Sequence, residues 1–145
     1  MKKLLFLILT ITIITSCNNN SSQVVIYRTA QDINLRCPID LDDYTILEGA
    51  EYVENSFFAY YLHVDETKCP VELFKSNITQ IENNIKSLSY TSGILSPICE
   101  PESEEFIDAC KRTNTQIQYN FSGKDSTWCI ITLDPQEMET TIKWF

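Results

Sequence analysis

The sequence predicts an α+β fold in which two β-hairpins form a four-stranded antiparallel sheet with an amphipathic helix packed on one face. Three observations predict it. Thr45 to Glu54 and Ser56 to Asp65 are runs rich in β-branched and aromatic residues, joined by the turn Glu54-Asn55-Ser56. Val71, Phe74, Ile78, Ile81, Ile85 and Leu88 recur at spacings of three and four, the clearest helical period in the chain. Thr115 to Asp134 reads as a second hairpin around Ser122-Gly123-Lys124-Asp125.

Taken in order, the chain begins with Lys2 and Lys3 and then an apolar stretch of eleven residues, Leu4 to Ile14. That stretch is too short to cross about 30 Å of hydrocarbon as a helix, so residues 1–16 read as a cleaved export signal. Ile14-Thr15-Ser16-Cys17 resembles a bacterial lipobox. The resemblance implies a diacylglyceryl thioether on the Cys17 sulfur, cleavage before Cys17 and acylation of the new amine. One acyl chain binds a membrane only marginally, whereas two or three hold it stably. The expected address is the bacterial cell envelope, with the protein held to the outer membrane or facing the periplasm through lipid on Cys17. An ordinary signal cut elsewhere, or an uncleaved anchor, is the competing reading.

Asn18 to Gln23 is polar and uncharged, so residues 17–23 read as a lipid-anchored tether and 24–145 as a single α+β domain. Val24 to Asn34 is compatible with a short strand or the first turns of a helix. In the strand Ser56 to Asp65, Phe58, Tyr60, Leu62 and Val64 share one face and Phe57, Ala59, Tyr61 and His63 the other. Pro70 suits the first position of the following helix, whose polar face carries Glu72, Lys75, Asn77, Glu82, Asn83 and Lys86. That face lacks the Lys and Arg excess of a membrane-surface helix, which favours packing against the sheet.

Ser89 to Pro97 reads as a loop. Glu102 to Arg112 reads as a helix, acidic in its first turn and basic in its last, as the helix dipole favours. In the second hairpin Ile117, Tyr119 and Phe121 alternate with Gln116, Gln118, Asn120 and Ser122, one buried face against one wet face. Asp134 as N-cap, Pro135 and Glu137 predict a short C-terminal helix burying Met138, Ile142 and Phe145. There are no internal repeats.

Charge and cysteine content limit the function. The whole chain carries −9, and loss of Lys2 and Lys3 leaves 9 basic against 20 acidic side chains, or −11. Such a protein repels phosphate backbones, so no nucleic-acid partner is expected. Outside the cytoplasm Cys37, Cys69, Cys99, Cys110 and Cys129 become disulfide candidates. Five is odd, so one thiol is left over. Cys99 and Cys110 are the favoured pair, since they bracket a short acidic segment. No Cys-x-x-Cys is present and His63 is the single histidine, so zinc spacing is lacking and no metal or other cofactor is expected.

The run Asn34, Cys37-Pro38, Leu41-Asp42, Thr45 and Leu47, followed by a Tyr-rich strand, resembles the signature of a widespread family of small bacterial exported proteins and lipoproteins of unknown function. The likeness extends from Asn34 to Pro135 and implies no activity, cofactor or catalytic residue.

Candidate chemistry is thin. His63 lies within a predicted strand, without a hydrolase motif around it. Cys37 lacks the second cysteine of a redox motif, and Asp40, Asp42 and Asp43 beside it would disfavour its thiolate. Those aspartates lack the glycine and distal glutamate of a calcium loop. The aromatic residues are more informative, because Tyr60, Tyr61, Tyr119 and Phe121 fall on the predicted sheet among more aromatics than one buried face consumes. The expected function is therefore a non-enzymatic protein-binding module of the envelope: an inhibitor, an immunity factor or an accessory of an envelope complex. A binder of a small apolar ligand between helix and sheet, lined by Phe74, Ile78, Tyr60 and Phe121, is the alternative. A thiol-based enzyme is the third reading.

Overall fold

A computed structural model describes residues 21–87 and 102–145. The signal, Cys17, Asn18 to Asn20, Leu88, the expected loop Ser89 to Pro97 and Cys99 lie outside the described residues. Helix α1 (residues 21–36) is followed by β1 (Ile39–Asp40), β2 (Thr45–Val53), β3 (Phe57–Val64), α2 (Val71–Ser76) and α3 (Ile78–Lys86). Then come α4 (Glu102–Thr113), β4 (Gln116–Ser122), β5 (Thr127–Asp134) and β6 (Glu139–Trp144).

The α+β class holds, but the sheet is larger than expected and mixed. It has six strands in the order β1-β2-β3-β4-β5-β6, all antiparallel except β3 and β4, which run parallel from Phe57↔Gln116 to His63↔Ser122. The reason lies between the hairpins. Parallel neighbours need a crossover of a dozen or more residues, and the helical stretch after β3 brings the chain back to the end from which β3 started.

The two added edge strands come from segments read differently in the sequence. Asp134-Pro135 closes a turn instead of opening a helix: Asp134 Oδ1 accepts from the Gln136 and Glu137 amides at 2.8 and 3.4 Å, and the Asp134 carbonyl accepts from Met138 N at 2.8 Å. Met138 then adopts a left-handed φ of 56°, and the β-branched run Thr140-Thr141-Ile142 pairs with β5 as β6. The capping chemistry was read correctly; the element it starts was not. Ile142 is half-buried, but Phe145 is 65% exposed rather than buried.

The segment from Val24 is helical. Ser22, Ile26, Ala30 and Ile33 form its buried stripe at spacings of four, four and three, which outweighs the strand preference of Val24-Val25-Ile26-Tyr27. Ser21, Ser22 and Gln23, read as the end of the tether, are the first described turn of this helix. The long amphipathic helix is divided at Asn77, whose amide bonds the Leu73 and Phe74 carbonyls at 3.2 and 3.1 Å. Phe74, Ile81 and Ile85 keep the expected buried side.

All helices lie on one face of the sheet. Phe58 meets Phe106 of α4 with ring centroids 4.8 Å apart, and Phe74 meets Phe121 at 5.0 Å and Trp128 at 5.4 Å. Tyr60 stacks on Tyr119 at 5.1 Å. With Ile26, Ile33, Ile85 and Ile131 these rings form one continuous core.

The segment Asn34 to Leu47 is a joint between α1 and β2. The Asn34 amide grips one backbone position from both sides: Nδ2 donates to the Ala50 carbonyl at 2.8 Å, and Oδ1 accepts from the Ala50 amide at 2.8 Å. A Cβ on Gly49 would stand 2.8 Å from that Oδ1, so the grip requires glycine there, beside the register shift between Leu47 and Gly49. After the cis Cys37-Pro38 bond, Leu41 N donates to the Thr45 carbonyl at 2.8 Å. Asp42 Oδ1 accepts from the Tyr44 and Thr45 amides at 2.9 and 2.6 Å, and Leu41 and Leu47 are buried. Asn34→Ala removes two hydrogen bonds and should destabilise the fold by about 1–2 kcal/mol. Gly49→Ala should cost a similar amount, but less in the Asn34→Ala background, because the two residues share one contact. Urea unfolding of the two single variants and the double variant measures that coupling.

Candidate functional site

The helices leave the opposite face of the sheet uncovered among the described residues. Register places Gly49, Tyr61, Asn120, Ile130 and Lys143 in one row across five strands. A second row runs Glu51, Ala59, Gln118, Thr132 and Thr141. A shallow groove of about 420 Å³ follows this face, lined by Phe57, Tyr61, Gln118, Asn120, Ile130 and Phe145 among others. Its chemistry is aromatic and amide-rich.

Tyr61 is the centre of the groove wall and is 39% exposed. Its hydroxyl donates to Glu51 Oε2 at 2.5 Å, and that bond, with burial and the Glu51 charge, pushes its pKa up to about 12. The ring is thus a neutral, fixed contact surface with its polar tip already held. Beside it, Asn120 Oδ1 is a buried acceptor with no hydrogen-bond partner. An incoming N–H or O–H would complete that atom.

The structure separates the four aromatic residues expected on a binding face. Tyr61 is on the uncovered side; Tyr60, Tyr119 and Phe121 are 5%, 2% and 0% exposed and belong to the core. A strand's alternation fixes which residues share a face, and the helices decide which face is covered. The same finding removes the expected apolar ligand pocket. Phe74, Tyr60 and Phe121 are in ring contact with their neighbours, and Ile78 packs against them, so the space between helix and sheet is filled by side chains.

Phe57 shares the face of Tyr61 by simple alternation, whereas Ile130 and Phe145 on this face are not expected from the sequence. Gln118 and Asn120 were legible as the wet side of β4, but the rest of the face depends on the parallel pairing and on β6. His63 is half-buried on this face, opposite Ile46 and Ser122.

The described cysteines are thiols. Cys110 and Cys129 are wholly buried, which pushes both up to about 12, and Cys99, the partner expected for Cys110, lies outside the described residues. Burial also raises Cys37, and burial followed by the Asp42 charge raises Cys69. None of these four has the electropositive, accessible setting of a nucleophilic thiolate. Of the aspartates near Cys37, Asp42 spends Oδ1 on the Tyr44 and Thr45 amides, and Lys68 Nζ donates to the Asp43 backbone carbonyl at 2.9 Å while lying 3.6 Å from Asp65 Oδ2. Among the described residues no cluster of His, Cys, Asp or Glu is arranged to hold a metal ion, and no helix is long and apolar enough to cross a membrane.

No protein-family profile and no curated protein matches this chain. Its fold is similar to the crystal structure of a Pseudomonas aeruginosa protein proposed to be secreted, with a TM-score of 0.58 over 84% of this chain and 96% of that one. At 11% identity the likeness extends to the fold alone.

The thiols set a pH dependence. Cys110 and Cys129 keep their protons to about 12 when folded, against an ordinary 9.0 when exposed, so unfolding releases protons above pH 9.0. Stability should be fully present below pH 9.0 and fall steadily as pH rises towards 12. Cys110→Ala combined with Cys129→Ala should flatten that fall in thermal unfolding across the alkaline range.

Proposed function

We propose that the protein is a non-enzymatic module of the bacterial envelope, exported, lipid-anchored at Cys17, and binding another envelope protein through its uncovered sheet face. One observation supports the binding face: a row of side chains crosses five strands, with Tyr61 and Ile130 on either side of Asn120 and no described helix over it. Aromatic side chains on a rigid sheet give large contact area at low entropic cost, and amides beside them give orientation. Export is supported by the Lys2-Lys3 and Leu4 to Ile14 pattern, and fits the similarly folded protein that is proposed to be secreted. The anchor rests on the lipobox resemblance at Ile14-Thr15-Ser16-Cys17.

Affinity capture of the full chain from detergent-solubilised envelopes should recover one stoichiometric partner. Tyr61→Glu and Ile130→Glu should each abolish that recovery while keeping the unfolding midpoint, since Tyr61 is exposed and Ile130 half-buried on the uncovered face. Recovery of general envelope proteins alone, or capture indifferent to both variants, would count against the reading. Mass spectrometry of the mature N-terminus should show a lipidated Cys17; an unmodified residue 17 ends the anchor reading.

A further inference from the structure

We infer that the domain stands on the bilayer by one defined end, with Val24 and Tyr27 seated in the lipid interface. This rests on lipidation of Cys17 and goes beyond it. The described helix starts at residue 21, so only Asn18, Asn19 and Asn20 separate it from Cys17. However those three residues are arranged, four Cα–Cα steps of about 3.8 Å span at most about 15 Å. The N-terminal end of α1 therefore cannot leave the neighbourhood of the headgroups.

That end of the molecule is built for such a place. Gln23 Nε2 donates to Asn55 Oδ1 at 3.4 Å, which brings the β2–β3 turn beside the start of α1. Between them lies an open groove of about 560 Å³ lined by Gln23, Val24, Tyr27, Tyr52 and Glu54. Val24 is 46% and Tyr27 55% exposed, unusual values for large apolar side chains one turn into a helix that otherwise buries its apolar stripe. A tyrosine with an apolar ring and a polar tip suits the headgroup level of a membrane.

Charge gives an independent argument for the same orientation. The strands run from this end to the other, about eight residues at 3.3 Å each, or on the order of 25 Å. At the anchored end Glu54, Asp134, Glu137 and Glu139 are largely offset by Lys86, Lys111 and Arg112. At the far end stand Asp40, Asp42, Asp43, Asp65, Glu66 and Asp125 against Lys68 and Lys124, near the β4–β5 turn that Glu66 caps by accepting from Lys124 N at 2.7 Å. Anionic headgroups repel such a cluster, and screening makes that repulsion fade within about a Debye length. The anchored end thus faces lipid and the acidic end faces away.

The test uses the full chain, processed in a bacterial host and reconstituted in vesicles of phosphatidylethanolamine and phosphatidylglycerol. A benzophenone amino acid replaces Tyr27 in one sample and Lys124, at the far turn, in another; both positions are exposed, so the fold is retained. Illumination should give strong protein–lipid adducts from position 27 and only background from position 124. Intact-mass measurement of the same samples reports lipid on Cys17 separately. Lipidated protein with no adduct at 27, or with equal adducts at both positions, overturns the orientation and leaves the anchor standing. Unlipidated Cys17 overturns both. Val24→Asp, at an exposed position, should weaken the adduct at 27 without changing the mass at Cys17.

Discussion

The parallel pairing of β3 with β4 is the constraint on which the rest of this structure depends. A parallel neighbour cannot be reached by a tight turn, so the chain must leave the sheet after Val64 and return at Gln116. The described part of what it carries across is helical, and the crossing lays Phe106 over Phe58 of β3, Phe74 over Phe121 of β4, and α3 with Ile81 and Ile85 against β5 and β6. Once that face is covered, Phe58, Tyr60, Tyr119 and Phe121 become core. The same step leaves Tyr61, Gln118 and Asn120 on a face that no described helix covers. One topological requirement produces both the hydrophobic core and the uncovered surface.

The crossover covers the centre of the sheet, and α1 is fixed to its β2 side by a different device. The Asn34 amide substitutes for a neighbouring strand at Ala50, satisfying that residue's N–H and C=O where β2 is irregular. Asp42 does similar work one turn later by satisfying two amides as the chain enters β2. These polar residues are spaced like a recognition motif in the sequence. The chemistry of Asn34 and of Asp42 Oδ1 is spent on backbone.

This explains which parts were legible. The Ser56 to Asp65 and Thr115 to Asp134 runs could be read because alternation and turn residues are local, and the helix from Val71 because its period is local too. The parallel pairing could not, since two hairpins with a helix between them are compatible with either direction until the crossover is traced. Nor could the covered face of β3, where Phe58-Tyr60-Leu62 and Phe57-Ala59-Tyr61 are both apolar. At Asp134 the side chain offers its oxygen to the following amides whether a helix or a turn comes next; the left-handed Met138 decides, and no residue type announces that. Of the four aromatics expected on a binding face, alternation puts Tyr60 and Tyr61 on opposite sides of β3, but spacing does not say which side the helices cover, nor that Tyr60, Tyr119 and Phe121 are therefore core.

The short link between Cys17 and α1 finally constrains what the uncovered face is able to meet. With Cys17 lipidated as proposed, the three intervening residues would hold the N-terminal end of α1 at the bilayer, with the strands extending on the order of 25 Å from it. A long flexible tether would let the face sample partners across the envelope, because reach grows with linker length. Three residues do not permit that. The row from Gly49 through Tyr61 and Ile130 to Lys143 is then available only to a protein that itself lies within the first few tens of ångströms of the same membrane. In the proposed reading, confinement to one plane would raise the effective concentration of such a partner, so that a groove this shallow, with one exposed tyrosine and one unsatisfied amide oxygen, would need only an affinity that is weak between freely diffusing molecules.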